Sequence, residues 1–315
     1  MSGSRTRLLS AGLVAAGLCG CGTSTVPAGT GDGAPDAGSV DATATAPGDD
    51  SGGTTLPADV VTDTGPADVW RGSLPRLTSM GGPVIPFVRL VTVTFADDPQ
   101  QDNDRALAAY MVGSPWMAEA GMEYGAAPGT VLQHVRLATP APTAQRQEDI
   151  EAFLAARVMD RTLPRAPDGS LDGVVYMVFY PRGTRLSLHG APACGFHGYH
   201  GELTRLGLRA AYAVIPTCDQ SYRGFTDAEG ISTGASHELI EVVTDPFPQT
   251  APAYEATMDV ALRYPNSSEV GDRCYGYYLR VDGFLLARSW SNLGAQGGGD
   301  PCVPIPGPGA AVNAP

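Results

Sequence analysis

His237 and Glu241 stand four residues apart in Ser236-His237-Glu238-Leu239-Ile240-Glu241-Val242-Val243-Thr244-Asp245-Pro246. Leu239, Val242 and Val243 recur at i, i+3 and i+4, so the stretch reads as the end of a helix with one apolar face. Pro246 disfavours helical geometry at Asp245 and stops the helix there. His237 and Glu241 then share another face, which points away from Leu239 at about 100° per residue. An imidazole and a carboxylate one turn apart can hold a metal ion, with Glu238 beside them. The spacing is that of the zinc-binding helix His-Glu-x-x-His, with Glu in place of the second His. Zinc accepts carboxylate oxygen as well as imidazole nitrogen, so the exchange keeps that chemistry open. The bland alternative is a solvated acidic face that happens to carry a His.

A hydrolytic metal site needs three protein ligands, an open position for water and a general base. His237 and Glu241 supply two ligands, and Glu238 could take a proton from the metal-bound water. Ser268-Glu269-Val270-Gly271-Asp272-Arg273-Cys274 is the best source of the third. Either Glu269 or Asp272 could reach back, the other orienting His237. Oxygens of Glu241 and of one of these acids should then lie within about 4–5 Å of a His237 nitrogen, since zinc bonds are about 2 Å each. Asp245 is expected to cap its own turn before Pro246. A second histidine cluster, Cys194-Gly195-Phe196-His197-Gly198-Tyr199-His200, reads as a structured loop. His197 is expected to line the site and steady a developing oxyanion, with His200 a weaker candidate than His197. A phosphate loop ending in Lys is excluded, because the chain has no Lys. No Gly-x-Ser-x-Gly elbow anchors a serine-hydrolase reading.

The 315 residues carry a net charge of −13. That balance argues against a nucleic-acid partner, which needs a basic footprint. Arg5 and Arg7 precede a short apolar run, Leu8 to Leu18, too short to span a bilayer. Leu18-Cys19-Gly20-Cys21 then resembles a bacterial lipobox, with Cys21 the lipidated residue. Residues 1–21 are expected to be a lipoprotein signal, or alternatively an ordinary secretory one. Either way the chain should leave the cytoplasm. A lipid on Cys21 would hold it to the bacterial cell envelope without a membrane span. The remaining cysteines, Cys194, Cys218, Cys274 and Cys302, are then expected to form two disulfides. The local pairing Cys194–Cys218 with Cys274–Cys302 closes two modest loops. A thiolate metal site ranks below it, because no Cys-x-x-Cys spacing joins them.

The elements around these residues follow from composition and period. Residues 22–82 are Gly-, Ala-, Thr-, Asp- and Pro-rich and are expected to be a disordered tether. A single domain is expected over 83–306 and a flexible tail over 307–315. Phe87–Phe95 reads as a strand, Asp104–Met111 as a short helix, and Thr130–Leu137 as a strand or an excursion. Ala144–Met159 is the clearest helix, with Ile150, Phe153, Leu154 and Val158 at helical spacing. Val174–Tyr180 is an unbroken apolar run, hence a strand covered on both faces. Ala210–Ile215 is another strand. Tyr277–Val281 and Phe284–Trp290 form a hairpin through Asp282-Gly283. The expected fold is α/β or α+β, a zincin-like domain around a mostly buried sheet. Length and composition leave the oligomeric state open.

Several separated motifs, in order, resemble the Exordium, or phosphate-induced, protein family and its bacterial relatives. They are Gly173-Val174-Val175-Tyr176, Cys194-Gly195-Phe196-His197, Cys218, the His-Glu-Leu-Ile-Glu helix with Thr244-Asp245-Pro246, and Glu269-Val270-Gly271-Asp272-Arg273-Cys274. The resemblance spans roughly Phe87 to Trp290. It implies an extracellular protein, a type tied in plants to the cell wall and growth. His237, Glu238, Glu241, Glu269 and Asp272 fall on family motif positions, whereas His200 does not. The lipobox and the tether depart from the plant pattern. Two functions remain in view. One is an exported zinc-dependent hydrolase of peptide bonds with a peptide or protein substrate. A carboxylate ligand makes zinc-bound water a weaker acid, so such an enzyme should work above neutral pH. The other is a non-catalytic binding module for a cell-envelope ligand, with a structural or calcium site.

Overall fold

The computed structural model describes residues 74–257, 268–307 and 311–313. The expected signal segment with Cys21, and residues 22–73 of the expected tether, lie outside the described residues. The core is a five-stranded sheet of β1 (Phe87–Thr94), β2 (Ala127–Arg136), β4 (Val174–Tyr180), β7 (Tyr199–Leu203) and β8 (Ala210–Pro216), in the order β2-β1-β4-β8-β7. The first four in that spatial order run parallel, and β7 closes the edge antiparallel to β8.

Strand alternation sorts the central residues onto two faces. Val175, Met177 and Phe179 of β4, with Ala211, Ala213 and Ile215 of β8, enter one apolar core. Val174, Tyr176, Val178 and Tyr180, with Ala210, Tyr212 and Val214, enter the other. Helices cover both. On the first face lie α1 (Gln101–Gly113), α2 (Pro115–Gly121) and α4 (Asp227–Thr244); on the second lies α3 (Gln147–Met159). The architecture is therefore mixed α/β, and the unbroken apolar runs of β4 and β8 reflect cover on both sides.

Helix α4 positions the chemistry. Thr226 accepts a hydrogen bond from the Glu229 N–H at 3.2 Å, and the Glu229 carboxylate accepts from the Thr226 N–H at 2.9 Å, a reciprocal cap that fixes the helix start. Ile231, Ala235, Leu239, Val242 and Val243 bury the sheet-facing side. The helix ends at Thr244, next to Asp245 and Pro246, as the pattern predicts. Asp245 does not cap its own turn; its Oδ1 accepts from the Ala253 N–H at 2.8 Å and so pins the returning chain.

Several boundaries move. Residues 74–82, expected in the tether, belong to the fold. Leu74 and Leu77 are buried, Asn292 exchanges two hydrogen bonds with the Leu77 backbone, and the Met80 N–H reaches Ala253 O. Residues 311–313, expected in a flexible tail, form strand β13, which pairs antiparallel with β9 (Tyr277–Val281). The helix expected at Ala144 begins at Gln147, because residues 144–146 form strand β3 beside β5 (Arg185–Leu188), which pairs on its other side with β6 (Ala191–Pro192). The hairpin of β9 with β10 (Phe284–Ala287) turns at Asp282-Gly283 as expected. Ser289–Trp290 leaves it as β11, to pair with β12 (Cys302–Val303).

Both expected disulfides are present. Cys194–Cys218 ties the loop before β7 to the chain after β8. Cys274–Cys302 ties the short turn Asp272–Cys274 to β12. Closing loops of 24 and 28 residues stabilises by about 3.5 kcal/mol each in the chain-entropy account. They mark an exported protein of an oxidising compartment. Among the described residues no helix is long and apolar enough to cross a membrane.

Candidate metal centre

His237 and Glu241 project from one face of α4, as their spacing requires. His237 Nε2 lies 3.1 Å from Glu241 Oε1. The turn at 272 comes down on the same spot. Asp272 Oδ1 is 3.6 Å from His237 Nε2, and the Asp272 N–H donates to Glu241 Oε1 at 3.0 Å. Ser268 holds the other oxygen, its hydroxyl donating to Asp272 Oδ2 at 2.8 Å. Asp272 is thus the acid beside His237. Glu269 goes elsewhere: its Oε1 lies 3.3 Å from Nε2 of His200.

His200, the weaker candidate from sequence, lies at the heart of the site. Tyr199 packs into the core on the α3 face. The next residue of a strand must face the opposite way, toward α4. His200 Nδ1 is therefore 3.5 Å from Glu238 Oε2 and 3.7 Å from Glu241 Oε2. Two trios result, His237–Glu241–Asp272 and His200–Glu238–Glu241, each with donor atoms within 4.8 Å of one another. They share Glu241.

Glycines let the backbone come this close. A Cβ on Gly271 would sit 2.8 Å from Glu241 Oε1 and 2.9 Å from His237 Nδ1, and one on Gly198 would sit 2.5 Å from Glu238 Cγ. Within α4, a Cβ on Gly234 would sit 2.5 Å from the carbonyl oxygen of His197. Glycine inside a helix costs about 1 kcal/mol relative to Ala. Here it admits the His197 loop against the helix. The Trp290 N–H to Val270 O bond, 2.9 Å, and the Cys274–Cys302 bridge hold the 272 turn from its other side.

The trios floor a cavity of about 530 Å³, walled by Phe196, His197, Tyr199, Tyr275 and Tyr278. His197 reaches this wall as expected. Its Nδ1 is 3.1 Å from the Tyr275 hydroxyl, and the two rings stack. Tyr275 also meets His237 edge-on. The sequence reading missed Tyr275, although it directly follows the Asp272-Arg273-Cys274 motif.

Burial and close carboxylates set the charge states. Burial opposes charge on His237, but Glu241 and Asp272 outweigh it and hold the imidazole well above its ordinary range. Burial opposes charge on His200 too, yet Glu269, Glu238 and Glu241 push it up to about 10. Burial lifts Glu241 to about 7 against the pull of His237. Burial and Glu241 raise Glu269 well above the carboxylate range. Burial would raise Asp272 as well, but the neighbouring His237 imidazole holds it below that range. Burial, Arg223 and His237 lower His197 to about 4, so it stays neutral. Without a cation, this cluster balances its charge with protons shared between imidazoles and carboxylates. A divalent ion does the same balancing while releasing them.

The residues fit such an ion. The Glu238 side chain is 5% exposed, and its Oε2 lacks a hydrogen-bond partner. Buried polar atoms without partners cost about 1–3 kcal/mol each, which a bound cation would offset. No protein-family model matches the chain, and no curated protein or solved structure matches it.

Proposed function

We propose that the chain is an exported zinc-dependent hydrolase of peptide bonds, with a zincin-like helix as its working part. The reading is carried by one observation: His237 Nε2, Glu241 Oε1 and Asp272 Oδ1 converge at the floor of an open cavity, with Glu238 on the same helical turn. These three residues would hold the zinc. Imidazole in the donor set favours zinc over calcium, which takes oxygen ligands only. Zinc supplies a Lewis acid and acidifies a coordinated water.

The protein's own groups do the rest. Glu238 accepts a proton from water and delivers it to the leaving amine. His200, 3.5 Å from its Oε2, steadies the carboxylate. The neutral His197 and the Tyr275 hydroxyl form a hydrogen-bonded pair at the wall. With Tyr275 donating to Nδ1, His197 Nε2 carries the ring proton and can donate to a substrate carbonyl oxygen as charge develops there. Aromatic walls suit peptide side chains, and a cavity of about 530 Å³ is the size of small-ligand clefts. Lipidation of Cys21 at the cell envelope belongs to the same proposal, as does the kinship with Exordium-type proteins.

The test is zinc content and peptide hydrolysis of the purified full chain beside Glu238→Gln. The expected result is bound zinc, hydrolysis inhibited by chelators, and a fall of roughly 10²–10⁴-fold in Glu238→Gln while zinc stays on the His237 trio. A zinc-free protein, or undiminished hydrolysis by Glu238→Gln, overturns the reading.

A further inference from the structure

The Glu241 carboxylate faces two imidazoles at once. Oε1 lies 3.1 Å from His237 Nε2, and Oε2 lies 3.7 Å from His200 Nδ1. A carboxylate committed to one metal would need only the first of these neighbours. Donors on a tetrahedral zinc with bonds of about 2 Å stand about 3.3 Å apart. The 3.1 and 3.6 Å spacings about His237 match that figure, and so do the 3.5 and 3.7 Å spacings about His200.

We propose that the cavity floor binds two divalent cations, one in each trio, with Glu241 bridging them. The proposal rests on the hydrolase reading only for the first cation. The second would be held by His200 Nδ1, Glu238 Oε2 and Glu241 Oε2. Glu269, 3.3 Å from His200 Nε2, takes the outer position that a ligating imidazole ordinarily gives to a carboxylate.

Two further observations point to this second position. Glu238 Oε2 is aimed into it from a side chain 5% exposed, and it has no hydrogen-bond partner. The cavity lining also gathers five carboxylates, Glu238, Glu241, Glu255, Glu269 and Asp272, with no Arg in the lining among the described residues. A carboxylate bridge places such ions about 3.5–4 Å apart, the separation used to clamp both oxygens of a displacement. Glu238 Oε1 lies under Gly198, where an added Cβ would sit 2.7 Å from it. It keeps the proton-transfer role given to it above, with the second cation taking the place of His200 in steadying Oε2.

The experiment strips the full chain with chelator, reloads it with Zn²⁺ and counts zinc per chain. The wild-type protein is expected to hold two. His200→Gln and Asp272→Asn should each hold one, and Glu241→Gln should lose both. Circular dichroism confirms folding of each variant. If His200→Gln does not fold, the wild-type protein reloaded with Mn²⁺ decides alone. An exchange-coupled pair in its electron paramagnetic resonance spectrum supports the bridge, and isolated-ion signals overturn it. A single zinc per chain, unaffected by His200→Gln, overturns this proposal and leaves the hydrolase reading standing. Two zincs without peptide hydrolysis keep this proposal and overturn the hydrolase reading. No zinc overturns both.

Discussion

Gly271→Ala tests whether the turn at 272 is shaped to close over a metal. The added Cβ would stand 2.8 Å from Glu241 Oε1, 2.9 Å from His237 Nδ1 and 3.0 Å from His237 Cε1. Ordinary contact begins near 3.5 Å, so one side must retreat by about 0.5–0.7 Å. The backbone has little room to do so, because the Trp290 N–H holds Val270 O and Cys274 is bonded to Cys302. The retreat therefore falls on His237 and Glu241. Metal–ligand distances tolerate about 0.2 Å, so both ligands leave their working positions. Losses of this kind weaken metal binding roughly 10–100-fold, about 1.4–2.7 kcal/mol. A competition titration of zinc against a chromophoric chelator measures it. Gly299→Ala serves as the control, because no atom lies within 4 Å of its added Cβ. Parental zinc affinity in Gly271→Ala would refute the reasoning, because an added methyl cannot share that space with two engaged ligands.

Removing the Cys274–Cys302 pair as a double Ser variant should cost about 3.5 kcal/mol in chemical denaturation. It should also weaken zinc binding by freeing Asp272; a stability loss with unchanged affinity refutes the positioning role. Chelator-treated protein should lose stability as pH rises. Glu241 titrates near 7 in the fold against 4.5 outside it, and His200 near 10 against 6.5. A raised folded value means the stabilised form is the protonated one, present in full below the unfolded value and lost through the folded one. The loss should run from about pH 4.5 to 7 and continue toward 10. Zinc-loaded protein should gain stability over the lower window, since its ligands must shed protons to bind. Parallel melting curves with and without zinc would contradict this. Outside the cavity lining, burial and Asp98 push the Asp104 carboxyl up to about 8. Its contribution is lost as pH rises through that value, so Asp104→Asn should stabilise by roughly 1–3 kcal/mol above pH 8 and by little at pH 4. Equal shifts in melting temperature at both pH values would count against it.

What the sequence disclosed of this site is what one helix turn and one short loop encode locally. His237, Glu238 and Glu241 are fixed relative to one another by helical period alone, so their common face was readable before any fold was known. Asp272 was readable as a pair with Glu269, but the choice between them was not. It depends on which oxygen reaches His237 once the 272 turn is bridged to Cys302. The β4 and β8 runs disclosed the central sheet because burial on both faces leaves no polar position in either. Residues 74–82 and 311–313 were illegible. Their order comes from distant partners, Asn292 and Ala253 for the first and β9 for the second, while their own composition resembles a linker.

His200 is the instructive case. Its orientation follows from the pairing of β7 with β8 in antiparallel register, His200 opposite Ala213. No periodicity within Tyr199-His200-Gly201-Glu202-Leu203 displays that pairing, because the glycine interrupts the alternation of a short edge strand. A local signal did exist in the glycines around it. Gly198 and Gly271 are the points where chain from outside the helix crosses over Glu238 and over His237 with Glu241, and each crossing excludes even a methyl group. The helix supplies the readable half of the site and the crossing segments supply the hidden half. Glu241 alone touches both, so its replacement by Gln should disturb both trios. Replacement of His200 or Asp272 should disturb one trio each. That asymmetry separates a shared carboxylate from two neighbouring sites that merely lie close together.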